Sequence, residues 1–295
     1  MTALSGATLR SASAFPGSPP ATLDAAAVAS PAPAGAGEAL LALTGIGLSF
    51  GGVTALDDVG FAVAPGSIRA IIGPNGAGKS SLLNVISGIY RPDRGRIRLL
   101  DHDYQQVPTA RLARLGVART FQNLALFRGL DVRGNVLMGR VAHRHAGFAR
   151  QALGIGRARR ERDDARARTD AMLDFLDLRA VGDRPVANLP YGLQKRVELA
   201  RALVAEPRLL LLDEPMAGMN ASEKHETGTV IRAARDRFDL TVVMIEHDIG
   251  VVMGLSDAVA VLDHGRLIAD GPPAAVQADQ AVIDAYLGVA HEEEA

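Results

Sequence analysis

The sequence predicts an α/β protein built on a parallel sheet covered on both faces. Three observations carry that expectation. Short, largely apolar segments recur at 68–72, 209–212, 241–245 and 258–262, each a strand's length and none showing the alternation of a half-exposed sheet. Between them lie stretches with hydrophobes at helical spacing, and such strand–helix alternation builds parallel sheets. A glycine-rich loop from Gly73 to Gly78 stands between one of these strands and a helix.

The elements follow in order. Residues 11–37 are Ala, Pro, Ser and Gly with almost no large hydrophobe, so they bury too little to offset the entropy of ordering, and 1–38 are expected to be a disordered tail. Pro16, Pro19, Pro20 and Asp24 break up any apolar h-region, which argues against a secretory leader. Segments 40–50 and 59–64 read as strands separated by Gly51 and Gly52, and Pro65 with Gly66 marks a turn before strand 68–72. Residues 79–87 read as a helix, with Leu82, Leu83 and Ile86 on one side and Gly88 as its stop. A turn at 91–95 precedes a strand at 96–100.

From 128 to 189 the pattern becomes helical, with Val132, Val136 and Gly139, then Met172, Leu173 and Leu176, at helical spacing. Within it, 157–168 is dense in both signs of charge, with Asp164 four residues before Arg168. Interleaved acids and missing aromatics make this a solvated, ion-paired helix face rather than a nucleic-acid patch. Alternation then returns: a helix ending at Ala205, a strand at 208–212, a helix at 221–237, a strand at 241–245, a helix from Ile249 and a strand at 258–262.

Composition narrows the function classes. Hydrophobic residues make up 48% and charged residues 22% of the chain, as in ordinary globular proteins. A formal net charge of −1 gives no global field for nucleic acid or an anionic membrane. With no cysteine there is no disulfide framework, thiolate metal site or cysteine nucleophile, which accords with a reducing compartment. The longest apolar runs fall far short of the roughly 20 residues a spanning helix needs.

The strongest chemical signal is Gly73, Pro74, Asn75, Gly76, Ala77, Gly78, Lys79 and Ser80, a full G-x-x-x-x-G-K-[ST] pattern placed after a strand and at the start of a helix. Glycines let the backbone wrap phosphate oxygens, and the helix N-terminus adds positive potential. Lys79 is suited to the β- and γ-phosphates, and the Ser80 hydroxyl to Mg²⁺. The next signal is a four-leucine strand ending in Asp213 and Glu214. A buried strand followed by paired acids puts charge at the carboxyl edge of the sheet, where the phosphate loop also lies. Asp213 is expected to hold Mg²⁺, and Glu214 to deprotonate the attacking water. A lone Asp-Glu pair would be read as solvated strand-end acids; its company with the phosphate loop overturns that. Together these predict a P-loop NTPase that binds ATP and Mg²⁺.

The phosphate loop, Gln122, a Leu-x-x-Gly-x-Gln segment at 189–194, the Leu-Leu-Asp-Glu-Pro run ending at Pro215, and His247 together resemble the ABC ATPase family over about residues 40–290. The resemblance implies a three-part domain at 39–290: a RecA-like parallel sheet, a small antiparallel β subdomain, and a helical subdomain at 128–189, with 39–127 and 190–290 as the nucleotide-binding core. It also implies that Phe50 stacks on adenine and that ATP is held by Gly73 to Ser81. Gln122 becomes the Q-loop glutamine that reaches Mg²⁺ and water, and His247 the switch histidine at the γ-phosphate.

The signature loop, Leu189, Pro190, Tyr191, Gly192 and Leu193, departs from the family's usual Leu-Ser-Gly-Gly-Gln. It keeps one glycine and replaces the serine with a proline that has neither hydroxyl nor amide hydrogen. In the family this loop comes from the opposite subunit and closes over ATP. Either the loop is degenerate and one composite site is weak, or its subgroup tolerates the change. Several features favour the second: Tyr191 with Gly192, the run Arg119, Thr120, Phe121 and Gln122, Ala217 to Asn220, Ile245 to Asp248, Ala285 to Gly288, and extra helical length near 140–170. All are similar to the ATPases of branched-chain amino-acid importers, specifically their larger subunit.

That resemblance implies transmembrane permease subunits, a second ATPase chain (identical or not) and, indirectly, an extracytoplasmic solute-binding protein as partners, with no nucleic acid. It implies a peripheral position on the cytoplasmic face of the inner membrane. Importers of urea, amides or other small polar solutes share these features and are the alternative. A soluble ABC protein of repair or translation would usually carry two ATPase domains or a long coiled coil, and this chain has one phosphate loop and no sustained heptads. A regulator without turnover would not need Glu214 and His247. His143 and His145 lack a neighbouring acid or cysteine and make a poor metal pair.

Overall fold

The computed structural model describes residues 39–141 and 156–292. The expected tail, and His143 with His145, lie outside them.

Strands form where the chain is apolar, and they sort into two sheets. β1 (Leu41–Phe50) and β2 (Val53–Val63) pair antiparallel across a two-residue turn at Gly51 and Gly52. On its other side β1 pairs with β4 (Arg94–Leu99), and β4 pairs with β5 (His102–Tyr104), giving an antiparallel sheet of order β2-β1-β4-β5. The larger sheet comprises β3 (Ile68–Ile72), β6 (Val117–Arg119), β7 (Leu209–Asp213), β8 (Thr241–Ile245), β9 (Ala258–Asp263) and β10 (Arg266–Gly271). Its order is β10-β9-β3-β8-β7-β6, parallel throughout except for β10, which runs antiparallel to β9.

β2 begins at Val53, earlier than the expected 59, because Asp57 and Asp58 are strand residues rather than turn residues. Asp57 forms ion pairs with Arg94 of β4 and Arg266 of β10, which anchors a charged residue inside a strand and ties the two sheets together. β5 and β6, at three residues each, are too short to announce themselves by pattern. β10 is only half buried and so lacks the continuous apolar run of its neighbours.

The central strands β3, β7 and β8 are buried at every position, and the period-2 pleat assigns each residue to a side. Ile68, Ala70, Ile72, Leu210, Leu212, Val242 and Met244 face a cluster made largely with helices. Ile71, Leu209, Leu211, Val243 and Ile245 face a second cluster with β1, β2 and α1 (Lys79–Ile86). The larger sheet is therefore covered on one face by helices and on the other by α1 and the antiparallel sheet.

On the helical side lie α2 (Val132–Met138), α3 (Arg157–Phe175), α4 (Tyr191–Leu203), α5 (Ala221–Phe238) and α6 (Ile249–Leu255), followed by α7 (Pro273–Gln277) and α8 (Gln280–Glu292). Val132 and Val136 of α2, and Met172 and Leu173 of α3, share one cluster with Val197, Ala200 and Leu203 of α4. The charged face of α3 carries ion pairs at the predicted spacing of four: Arg168 meets Asp164 at 2.9 Å and Arg159 lies 3.8 Å from Asp163, while Arg140 reaches the Asp164 carboxylate at 3.5 Å.

α5 starts with a capping box. The Asn220 side chain accepts from the Glu223 amide at 3.0 Å, and the Glu223 carboxylate accepts from the Asn220 amide at 3.0 Å. Asn220→Ala removes one half of that exchange and is expected to cost about 1 kcal/mol. Thermal unfolding followed by circular dichroism should show the midpoint fall by about 2–4 °C.

Candidate active site

β3 ends at Ile72, and the chain turns through Gly73 to Gly78 into α1. Gly73 has φ +146°, and a Cβ there would lie 2.0 Å from the Leu262 carbonyl oxygen; Gly78 has φ +94°, and a Cβ would lie 2.4 Å from the carbonyl of Ala55. Only glycine lets the loop press this closely on β9 and β2. Gly78 is the N-cap of α1 and brings no side-chain bond. The first amide bonded within the helix is that of Leu82, to the Gly78 carbonyl, so the amides of Lys79, Ser80 and Ser81 have no partner inside the helix and lie at its positive end. Asn75, Gly76 and Ser80 are exposed, Pro74 and Ser81 half-buried, and Ala77 buried.

Lys79 is 6% exposed. Its Nζ donates to the Gly73 carbonyl at 2.7 Å and the Pro74 carbonyl at 2.8 Å, folding the amine across the loop. Burial lowers its pKa, and the negative charge of Glu214 opposes that shift.

β7 delivers Asp213, 6% exposed, to the same sheet edge. Arg119, at the end of β6, donates to its Oδ2 at 3.1 Å and also holds the Ser87 hydroxyl at 2.5 Å. The other carboxylate oxygen, Oδ1, is buried with no hydrogen-bond partner. Burial raises the Asp213 pKa, and Arg119 pulls it back down. A buried, unpartnered carboxylate oxygen is costly and is a hard donor suited to Mg²⁺, so the residues present fit a cation held by Asp213 with the Ser80 hydroxyl.

Glu214 follows with φ +49°, a left-handed conformation that costs a non-glycine residue about 1–3 kcal/mol. The turn is held by its amide, which donates to the Ile245 carbonyl at 3.0 Å. Its carboxylate receives two side chains from distant segments: Gln122 Nε2 donates to Oε2 at 3.0 Å, and His247 Nε2 lies 2.7 Å from Oε1. Three expected site residues thus meet at one carboxylate, beside Asp213 and within electrostatic reach of Lys79.

Other expected residues stand further out. Phe50, at the tip of β1, is 46% exposed and meets Tyr90 edge-to-face at 5.1 Å. In the signature segment Leu189 is buried, and Pro190 is the N-cap of α4 without a side-chain bond. The helix begins at Tyr191, which places Gly192 and Leu193 in its first turn; the first intrahelical amide is that of Gln194, to the Pro190 carbonyl. Tyr191 packs beside Gly218, and Gly192 beside Glu223. Those neighbours belong to the segment after β7 rather than to the phosphate loop of the same chain.

Three residues of the site escaped the sequence reading. Arg119 is a buried arginine in a short strand, and its pairing with Asp213 was hidden by the shortness of β6. Glu246, 4% exposed, accepts from the Met216 amide at 2.8 Å and the His247 amide at 3.3 Å, tying the turn after Glu214 to the histidine. Burial raises its pKa. Tyr286 is half-buried on α8; burial pushes its pKa up, and the Gly73 amide, an electrostatic neighbour, pulls it back down. Only the Tyr-Leu-Gly run around it was visible beforehand.

Comparison with known proteins accords with this geometry. Residues 56–217 match the family model "ABC transporter", and 266–292 match "Branched-chain amino acid ATP-binding cassette transporter". The chain is 38% identical over 251 residues to LivG of Escherichia coli, the ATP-binding protein of high-affinity branched-chain amino acid transport, covering 85% of this chain and 98% of LivG. It is 36% identical over 251 residues, with the same coverage, to BraF of Pseudomonas aeruginosa, a protein of the same description. Among solved structures, the ADP conformation of MJ1267, an ATP-binding cassette of an ABC transporter, aligns with TM-score 0.74 at 30% identity, covering 85% of this chain and 99% of that one. Among the described residues no helix is long and apolar enough to cross a membrane. With its phosphate loop, its Gln122–Glu214–His247 meeting point and relatives that match almost end to end, the chain belongs to the ABC transporter family as an ATP-binding cassette.

Proposed function

We propose that this chain hydrolyses ATP to drive import of branched-chain amino acids through a separate transmembrane permease. The observation that carries the hydrolytic part is the Glu214 carboxylate, flanked by Gln122 at 3.0 Å and His247 at 2.7 Å. That geometry suits a general base whose two oxygens are held in place while it takes the proton of an attacking water. The phosphates of ATP would lie against the amides of Gly73 to Ser81, with Lys79 exchanging its two carbonyl partners for phosphate oxygens. When bound, Mg²⁺ neutralises charge on the β- and γ-phosphates; Ser80, Asp213 and Gln122 would hold it. Phe50, 46% exposed, would cover adenine.

The remaining assignments rest on the family. Pro190 to Leu193 would close over the nucleotide of a second ATPase subunit, using the free amides of the first turn of α4. Residues 128–189 would act as a helical subdomain beside a core of 39–127 and 190–290. Phe121, Phe127, Leu130 and Met138 are exposed apolar residues around α2 and the Gln122 loop, and offer a docking surface for the permease. The chain would sit peripherally on the cytoplasmic face of the membrane, and an extracytoplasmic binding protein would deliver the cargo. The branched-chain assignment is supported by LivG, BraF and the match at 266–292.

Glu214→Gln is expected to lower ATP turnover by about 10²–10⁴-fold while leaving nucleotide affinity intact, measured by phosphate release and by binding of a fluorescent ATP analogue. Unchanged turnover would remove Glu214 from the base role. The same variant with ATP should run as a dimer by light scattering, alone or mixed with a second ATPase; a monomer in both mixtures would mean that the Pro190 loop does not close. Purification from gently solubilised native membranes should bring down two polytopic permeases. Vesicles holding that complex and its binding protein should accumulate leucine, isoleucine or valine when ATP is inside, and uptake of urea or amides instead would reassign the cargo.

A further inference from the structure

The segment that carries Gln122 has no regular secondary structure between β6 and α2, so its backbone polar groups must find partners elsewhere. At the far end Asn135 of α2 bonds both the amide and the carbonyl of Phe127; around Gln122 the partners lie on one face of α4. Lys195 Nζ donates to the Gln122 carbonyl at 3.2 Å. The Ala125 amide donates to the Glu198 carboxylate at 3.3 Å. Arg201 donates to the Ala125 carbonyl at 2.6 Å and lies over the Phe127 ring at 5.7 Å. The three α4 residues follow one another at intervals of three, so they form a single stripe aimed at 122–127. Lys195 and Glu198 side chains are 4% and 3% exposed and lie 4.0 Å apart, with Arg201 at 3.9 Å from Glu198.

Burying these charges is costly, and an apolar stripe would pack two helical layers at least as well. Such a stripe could not bind the Gln122 carbonyl or the amide and carbonyl of Ala125. Resting on the hydrolytic reading above, we propose that Lys195, Glu198 and Arg201 are positioning residues that hold the Gln122 loop so that its side chain meets Glu214. α4 then joins two places: its first turn is the Pro190 loop, and its next turns grip the Gln122 loop. A displacement at the Pro190 end is carried by a rigid helix to the hydrolytic carboxylate.

The test uses the full chain. Glu198→Gln should lower kcat by about ten- to a hundred-fold, the range for a misplaced catalytic group, with KM for ATP and binding of the fluorescent analogue within about two-fold. In a Gln122→Ala background the same substitution should add almost nothing, because its effect passes through Gln122. Amide exchange read by mass spectrometry should quicken in 119–127 and stay unchanged in 73–86. An additive double-mutant cycle, or unchanged kcat with unchanged exchange, would overturn the proposal in favour of a merely structural role. If Glu198→Gln does not fold, Arg201→Gln, at a less buried position, goes through the same cycle with the same criteria. A wild-type chain that hydrolyses no ATP, alone or with its second ATPase, refutes the hydrolytic reading instead. The exchange measurement then still reports whether α4 holds the loop.

Discussion

Ile245, the last residue of β8, has Ile71 of β3 as its parallel partner on one side and Asp213 of β7 on the other. Because all three strands run the same way, they finish together, and whatever each chain carries one or two residues later is delivered to the same edge. β3 delivers Gly73 and the loop, β7 delivers Glu214, and β8 delivers Glu246 and His247. Burial on both faces is what pins that register, since slipping one strand by a residue would exchange its two apolar sets between clusters. The chemistry is thus a consequence of strand pairing, and the side chains need little further machinery to find one another.

Stability is given up at that edge. Glu214 occupies a left-handed backbone conformation, Asp213 keeps a buried oxygen without a partner, and Glu246 is a carboxylate taken almost wholly out of water. Each is unfavourable for folding alone. They are tolerated because the surroundings over-determine them: the Glu214 amide is tied to Ile245, Arg119 to Asp213, and two amides to Glu246. Two of the three, Asp213 and Glu214, are residues expected from sequence to do the chemistry.

What could be read beforehand follows from the range over which each signal acts. The phosphate loop is local: eight consecutive residues whose types are demanded by φ, space and charge, so it was visible at once. Asp213 and Glu214 were legible because four leucines before them declare a buried strand. Gln122 and His247 carried no local signal and were identified only through resemblance to a family. Arg119, Glu246 and the stripe on α4 were missed because their meaning lies in distant partners. A buried glutamate in a helix looks like any surface glutamate until the loop it binds is in place. In the fold, the short β5 and β6 and the charged first half of β2 went unread for a related reason, since neighbouring strands rather than their own composition hold them.

Tyr286, on the last helix of the described chain, lies close enough to the Gly73 amide at the start of the phosphate loop for that amide to oppose the rise in pKa that burial causes. Synthesis runs from the N-terminus, so the loop leaves the ribosome long before its tyrosine neighbour exists. β8 and β9, which flank β3, also come late. A nascent chain can therefore close its antiparallel sheet early, yet the phosphate loop gains its full surroundings only when translation is nearly finished. A chain cut short before α8 would lack that neighbour for Gly73, so the surroundings of the loop are completed by the last helix to be made.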